Sequence, residues 1–484
     1  MKRAFTLVLA LVFTLSTIVP SFAAGAFEST SSGVRYVVRD ANGKIVQSFK
    51  PTYDAATGKY IVKDQENRVI AQQSLAPEAG MGQIKIVAPV SGDSHSVTST
   101  DFLGNRVPVL RELPANDPRY VQLKSYIESD AGLRKVVSMQ VQARNYKLDT
   151  LQQEISQGTR DPKLAAWLVN DLKKPVYLEV GDSGSIYHDP RGFIMAEQAA
   201  NGQVVNRDNA YANRIVVPPN SEVFTGSMKD SAAASVMAHE MGHMIMDQVY
   251  ETPNYPRSSY AGPHSKDSIT DPGFAYHEGW AEAIETLSNK DRLYSSNNWR
   301  VASQRNVAEN KYIFKNQGVL EGPNDGLLKS GAQMLSTEGV NATLFYKMLT
   351  DNRIQAPYSK VLQVFEQSKP QNYNEFLTKY IEKFPEDRSQ VIKGFLESTK
   401  YATVDSTATA RYKALHDAEI AYKNAGNSAP EVQAQLEQQY KQQLNEYNQW
   451  KEQTYKQTVV DGKIDRALDQ NAQVAMSYSD DTGK

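Results

Sequence analysis

The chain has 484 residues, 40% of them hydrophobic, more than one compact core accommodates and enough for about three domains. Its 53 basic and 55 acidic residues leave a formal net charge of −2, so no single-sign field recruits nucleic acid or another polyanion. Cysteine is absent, which excludes disulfides, a thiol nucleophile and thiolate ligands, and leaves His and carboxylates to build any metal site.

The N-terminus has the layout of an export signal over residues 1–24. Lys2 and Arg3 precede an apolar run from Ala4 to Val19, Pro20 breaks it, and the small-residue segment Ser21 to Ala26 supplies a cleavage site near Ala23 or Ala24. The run is short for a hydrocarbon core of about 30 Å, which argues against an anchor. A secreted, extracellular protein with no membrane span in the mature chain is expected. Residues 27–114 form a β-rich module carrying an internal repeat. Arg35 to Gln47 and Lys59 to Gln72 each pair two β-prone runs around a polar turn, and Asn42-Gly43 suits a tight hairpin. The module is a propeptide, a wall- or substrate-binding unit, or an added layer of the domain that follows.

From residue 115 the pattern changes. Asp117-Pro118 and Asp161-Pro162 are helix starts. Two helices are predicted between Tyr120 and Gln157 and a third over Leu164 to Leu172. Strands are predicted over 175–180, 192–196 and 213–217, the last ended by Pro218-Pro219 in the manner of an edge strand. A helix capped by Asp230 or Ser231 then runs to about Val249 and contains Ala238-His239-Glu240-Met241-Gly242-His243. His239 and His243 are four residues apart and share one helix face, where two imidazoles grip one metal ion. The helix is apolar almost all round, so it is buried, and two buried imidazoles need a ligand or hydrogen-bond partners. Gly242 in its interior costs about 1 kcal/mol of helix propensity, which fits the close approach of another backbone.

A Pro-, Ser- and Tyr-rich connection over 250–270 follows and contains His264, which as a lone loop histidine reads first as a surface residue. Asp271-Pro272 opens a second helix bearing His277, Glu278 and Glu282, with Trp280, Ile284 and Leu287 as its core stripe. A catalytic zinc ion keeps three protein ligands and leaves a position for water. His239, His243 and one further ligand meet that count, the third being Glu278, Glu282 or His277.

Between Ser231 and Asn289 these residues resemble the gluzincin metallopeptidases, the thermolysin-like clan, in which H-E-x-x-H is followed on a second helix by an E-x-x-x-D pattern. Glu278-Gly-Trp-Ala-Glu282 is similar to that second motif, with Glu where the clan usually has Asp. The resemblance implies one catalytic Zn2+ on His239, His243 and Glu278, Glu282 as the carboxylate that orients His239, and a peptide or protein substrate. Metzincins fit less well, because their extended motif needs Gly at 246 and His at 249, where this chain has Met246 and Val249. Zinc-activated water with Glu240 as general base then hydrolyses the peptide bond. Candidates for the oxyanion donor are Tyr276, His277, Tyr260 and Arg305.

The expected fold is α+β. A zincin-like catalytic core over 115–290, a small sheet plus the active-site helix, is followed by a helical lobe over 291–400. Ser336 to Met348 is read as core of that lobe, the alternative being that Glu338 faces the cleft. A helical hairpin and tail over 401–484 completes the chain, its second helix opened by a capping box at Ser428 to Glu431. The terminal modules are candidates for cell-wall or matrix contact. Two rival functions stand beside this one: a surface or matrix binding protein in which the β repeats and the helical hairpin hold the function and the metal is structural or vestigial, and a zinc amidase acting on cell-wall peptides through the same residues.

Overall fold

The computed structural model describes residues 26–464 apart from 31–32, 41–43, 55–58, 66, 74–83, 93, 101–103, 182, 199–203, 211–213, 226–231, 252–253 and 316–325. The export signal, the Asn42-Gly43 turn and the Asp230 or Ser231 cap therefore lie outside the described residues. The architecture is mixed α+β.

The internal repeat folds as two three-stranded antiparallel sheets of matching design. The first is β1 (Ala26–Thr30), β2 (Gly33–Arg39) and β3 (Ile45–Phe49); the second is β4 (Thr52–Asp54), β5 (Lys59–Lys63) and β6 (Val69–Gln73). The pairing register slips at Val38/Arg39 in one and at Val62/Lys63 in the other. Asp40 and Asp64 close the two turns identically, each accepting the backbone N–H of the residue four positions on, Lys44 or Arg68.

The third sheet has eight strands: β7 (Ile84–Pro89), β8 (Thr98–Thr100), β9 (Arg106–Glu112), β10 (Val176–Val180), β11 (Tyr187–Asp189), β12 (Phe193–Gln198), β13 (Val204–Ala210) and β14 (Arg214–Val217). Their order is β11-β14-β10-β7-β9-β12-β13, with β8 paired to β9. This sheet draws strands from both sides of residue 114. The run Ile84 to Pro89 is almost wholly buried, as expected of an interior strand flanked by neighbours on both sides. The strand before Pro218-Pro219 is not an edge: β14 lies between β10 and β11, parallel to the first and antiparallel to the second. The prolines sit beyond its last paired residue, so they cost the ladder nothing. The edge on this side is β11, a three-residue strand whose sequence carries no alternation.

Helices α1 (Pro118–Ser129) and α3 (Pro162–Leu172) start at the expected Asp-Pro pairs, and α2 (Ala131–Gln157) starts at Asp130; Asp117, Asp130 and Asp161 accept N–H groups of the first turn. After the one-turn α4 (Glu222–Thr225), the motif helix α5 (Ala232–Tyr250) packs against α2 and against α6 (Pro272–Ser288). Met237, Met241, Met244, Ile245, Met246 and Val249 of α5 are wholly buried, each contributing about 1.5–3 kcal/mol of apolar burial. The remaining helices are α7 (Trp299–Ala308), α8 (Gly331–Leu335), α9 (Glu338–Thr350), α10 (Pro357–Ser368), α11 (Tyr373–Lys383), α12 (Arg388–Ser398), α13 (Ala408–Asn424) and α14 (Pro430–Asp461). α9 lies along α6. The last two form the expected hairpin, but its second helix is capped by Ala429, with Pro430 in the first turn, and the Ser428 to Glu431 capping box is not made. Among the described residues no helix is long and apolar enough to cross a membrane.

Candidate active site

α5 and α6 meet where Gly242 faces Ala281. A Cβ at Gly242 would stand 2.7 Å from the Ala281 Cα, so only glycine lets the two backbones approach this closely. The Trp280 indole N–H donates to the Gly242 carbonyl at 2.9 Å and locks the contact. On α5 this sets His239 and His243, and on α6 Glu278, facing one another.

The three converge. His239 Nε2 lies 3.1 Å from His243 Nε2, and each lies 3.4 Å from Glu278 Oε2. A tetrahedral zinc ion with bonds of about 2.0–2.1 Å separates its ligand atoms by about 3.3–3.4 Å along each edge. The three donor atoms therefore already form one face of such a tetrahedron. Burial alone would raise the Glu278 carboxyl, but the two imidazoles hold it well below the ordinary carboxylate range. His239 is desolvated, yet the carboxylates around it raise it well above the ordinary imidazole value. Two imidazoles and a carboxylate so placed could hold a metal ion.

Behind each imidazole sits a different partner. His243 Nδ1 is 3.2 Å from the Tyr255 hydroxyl; with Nε2 turned to a metal, Nδ1 carries the proton and donates to that oxygen. His239 Nδ1 faces Glu282 Oε1 at 3.6 Å and Glu285 Oε2 at 3.7 Å, ion-pair neighbours too distant for hydrogen bonds. Glu240, one residue along from His239, is partly exposed, and its Oε2 accepts the His188 backbone N–H at 2.9 Å. That N–H belongs to the edge strand β11. Arg214 on β14 holds β11 in place, donating to Asp189 Oδ2 at 2.8 Å, to Glu179 Oε2 at 2.5 Å and to the Gly192 carbonyl at 2.7 Å, with all three charged residues buried.

The proposed oxyanion donors divide. Tyr276 is buried with its hydroxyl against Tyr250, Arg305 donates to the Leu293 and Ser296 carbonyls, and Tyr260 donates to Pro263 O; all three are committed elsewhere. His277 stays near, its ring centroid 5.8 Å from that of His243, and burial pushes it down to about 4, so it is neutral near pH 7. It stands outside the converging trio. His264 does reach the site. Its Nδ1 is 3.2 Å from Glu338 Oε2, and a donor atom from each of His264, Glu338 and Glu278 lies within 4.8 Å of the others. The hydrogen bond to Glu338 raises His264, and burial pushes the Glu338 carboxyl up to about 7.

Tyr255, His188, Glu285, Lys266 and Arg300 were not anticipated. Glu285 had a signal: it follows Glu282 by three residues and Glu278 by seven, so it falls on the same helix face. The others sit on β11, in the connection, or at the start of α7, where no period marks them.

An α+β core thus brings two histidines and a glutamate from two buried helices together beside a partly exposed glutamate, a set that could hold a metal ion. Residues 206–328 match the family model of the mycolysin C-terminal domain. That interval contains both motif helices and the connection between them, and it supports a gluzincin-type metallopeptidase relation and a peptidase function. No curated protein and no solved structure matches the chain.

Proposed function

We propose that the protein is an exported zinc metallopeptidase that hydrolyses peptide bonds in extracellular peptides or proteins. The observation that carries this is the triangle of His239 Nε2, His243 Nε2 and Glu278 Oε2, with sides of 3.1, 3.4 and 3.4 Å, beside Glu240. Among the described residues the converging set holds three ligands, which favours a catalytic over a structural zinc ion. Glu278 is the third ligand and Glu282 the carboxylate behind His239. The export-type N-terminus supports secretion.

His239, His243 and Glu278 would hold the zinc ion, which would supply Lewis acidity toward the scissile carbonyl and the attacking water. Glu240 takes the proton from that water and passes it to the leaving amine, since it lies next to His239 and is partly exposed. The His188 N–H holds Glu240 Oε2 and leaves Oε1 for the proton. His264, paired with Glu338, supplies an imidazole N–H on the Glu278 side, where it stabilises negative charge developing on the carbonyl oxygen.

Glu240→Gln tests this. Turnover of a proteome-derived peptide library should fall about 10²- to 10⁴-fold while one equivalent of zinc stays bound. An unchanged rate would exclude Glu240 as the base. His264→Ala should lower kcat about 10²- to 10³-fold with zinc retained.

A further inference from the structure

His239 offers a metal two faces. Its Nε2 looks toward His243 and Glu278, its Nδ1 toward Glu282 and Glu285, and in each set the donor atoms lie within 4.8 Å of one another. On carboxylate charge alone the Nδ1 side is the stronger cation trap, with two glutamates against one. It is also deeply buried: Glu282 is 6% exposed and Glu285 not at all. Two carboxylates this close, removed from water, require compensating positive charge.

Two side chains bring it. Lys266 Nζ is 2.6 Å from Glu282 Oε2 and 3.7 Å from Glu285 Oε2. Arg300 grips Glu285 through both Nε and Nη2, the latter at 3.0 Å, and Gln304 donates to the same carboxylate at 2.5 Å. The ammonium group is placed by its backbone. The Lys266 carbonyl accepts the Gly339 N–H at 2.8 Å, and a Cβ on Gly339 would stand 2.6 Å from that oxygen. Lys329 Nζ, itself buried, donates to the Asp267 and Tyr312 carbonyls at 3.0 Å each and pins the next residue. The connection is thus fastened at this point, and Lys266 is directed inward although a lysine's long stem ordinarily carries its charge to water.

We propose that Lys266, together with Arg300, is the resident cation of the Nδ1 side of His239, and that it confines a divalent metal to the Nε2 side and keeps the centre mononuclear. This rests on the zinc-peptidase proposal and assigns Lys266 a positioning role, acting through Glu282 and His239 with no contact to substrate. With Lys266 and Arg300 present, the charges of Glu282 and Glu285 cancel, while Glu278 retains its negative charge for the metal. Without Lys266 the Nδ1 side carries one uncompensated negative charge, and a second zinc ion there would take Glu282 and Glu285 as ligands and His239 Nδ1 only on release of its proton to solvent.

The experiment is zinc stoichiometry and affinity, by elemental analysis and competition with a chromophoric chelator, on the purified full-length chain, with fold monitored by circular dichroism. The wild type should hold one equivalent and Lys266→Met a second. The double variant Lys266→Met/Glu282→Gln, which removes the uncompensated charge, should return to one. A folded Lys266→Met chain with one equivalent at unchanged affinity overturns the inference, as does a second equivalent that persists in the double variant. If Lys266→Met does not fold, excess zinc on the wild type decides. A second equivalent bound within tenfold of the first and lost in Glu282→Gln overturns the inference, and saturation at one upholds it. A wild type that takes up no zinc overturns the function proposed above, whereas a one-equivalent wild type with a one-equivalent Lys266→Met overturns this inference alone.

Discussion

Replacing Gly242 by alanine sets two magnitudes against each other. Alanine in a helix interior is favoured over glycine by about 1 kcal/mol, so an isolated motif helix would be strengthened. In the folded chain the new methyl would stand 2.7 Å from the Ala281 Cα, where ordinary contact begins at 3.4 Å, so α5 and α6 must separate by about 0.7 Å, the difference of the two. Overpacking against backbone costs about 1–3 kcal/mol, which leaves a net loss of about 0–2 kcal/mol. The metal set feels the shift more. Both 3.4 Å edges between the histidines and Glu278 cross this interface, and lengthening them to about 4 Å exceeds the roughly 3.3–3.4 Å edge that zinc prefers. Zinc affinity should fall about 10- to 100-fold, the scale on which disturbed ligand orientation acts. Chelator competition measures the affinity, and thermal unfolding of the metal-stripped chain measures stability. A Gly242→Ala chain that binds zinc like the wild type and melts at a higher temperature would refute the contact.

Tyr255→Phe should keep the fold, because the ring still packs against Tyr250 and His277 at centroid distances of 6.4 and 5.4 Å. It removes the hydroxyl behind His243 Nδ1, and zinc affinity should drop about 10- to 100-fold; chelator competition with unchanged affinity would dismiss the orienting role. A third prediction concerns pH. Burial would raise Glu251, but Arg160 and Lys147 overcome it and hold the carboxyl at about 2 instead of the ordinary 4.5. In the window between those values the unfolded chain binds the proton and the folded chain does not. This contribution is therefore present above pH 4.5 and lost as pH falls through 2. The difference in melting temperature between wild type and Glu251→Gln should narrow across that window, and a difference independent of pH would count against it.

What was legible in the sequence was what local periodicity encodes. The helix starts at Asp117, Asp161 and Asp271, the buried motif helix and the i, i+4 pairs follow from spacing within one element, and the structure keeps them together. The central sheet was less legible, because strand order is a long-range property. The apolar run Ile84 to Pro89 belongs between β10 and β9, and only the partners that bury both its faces reveal that. β11 was hardest. Three residues, Tyr187 to Asp189, have no pattern of their own and are a strand because Arg214 bonds Asp189 and β14 offers a ladder.

The connection between the motif helices shows the same division at the site itself. Its Pro- and Ser-rich composition signals only an irregular path, yet it supplies Tyr255, His264 and Lys266 to three different faces of the metal set. Irregular backbone delivers them because it is anchored. The Asp271 carboxylate caps α6 through the Phe274 N–H at 2.8 Å, accepts the Ser258 hydroxyl at 2.5 Å, and accepts the Ser259 and Tyr260 N–H groups at 3.1 and 3.0 Å. One residue thereby fastens the start of the second motif helix to the loop that completes the site. The helices supply the proposed ligands. The anchored loop supplies the groups that orient them, and its contribution could be placed only once Asp271, Gly339 and Lys329 were seen to fix it.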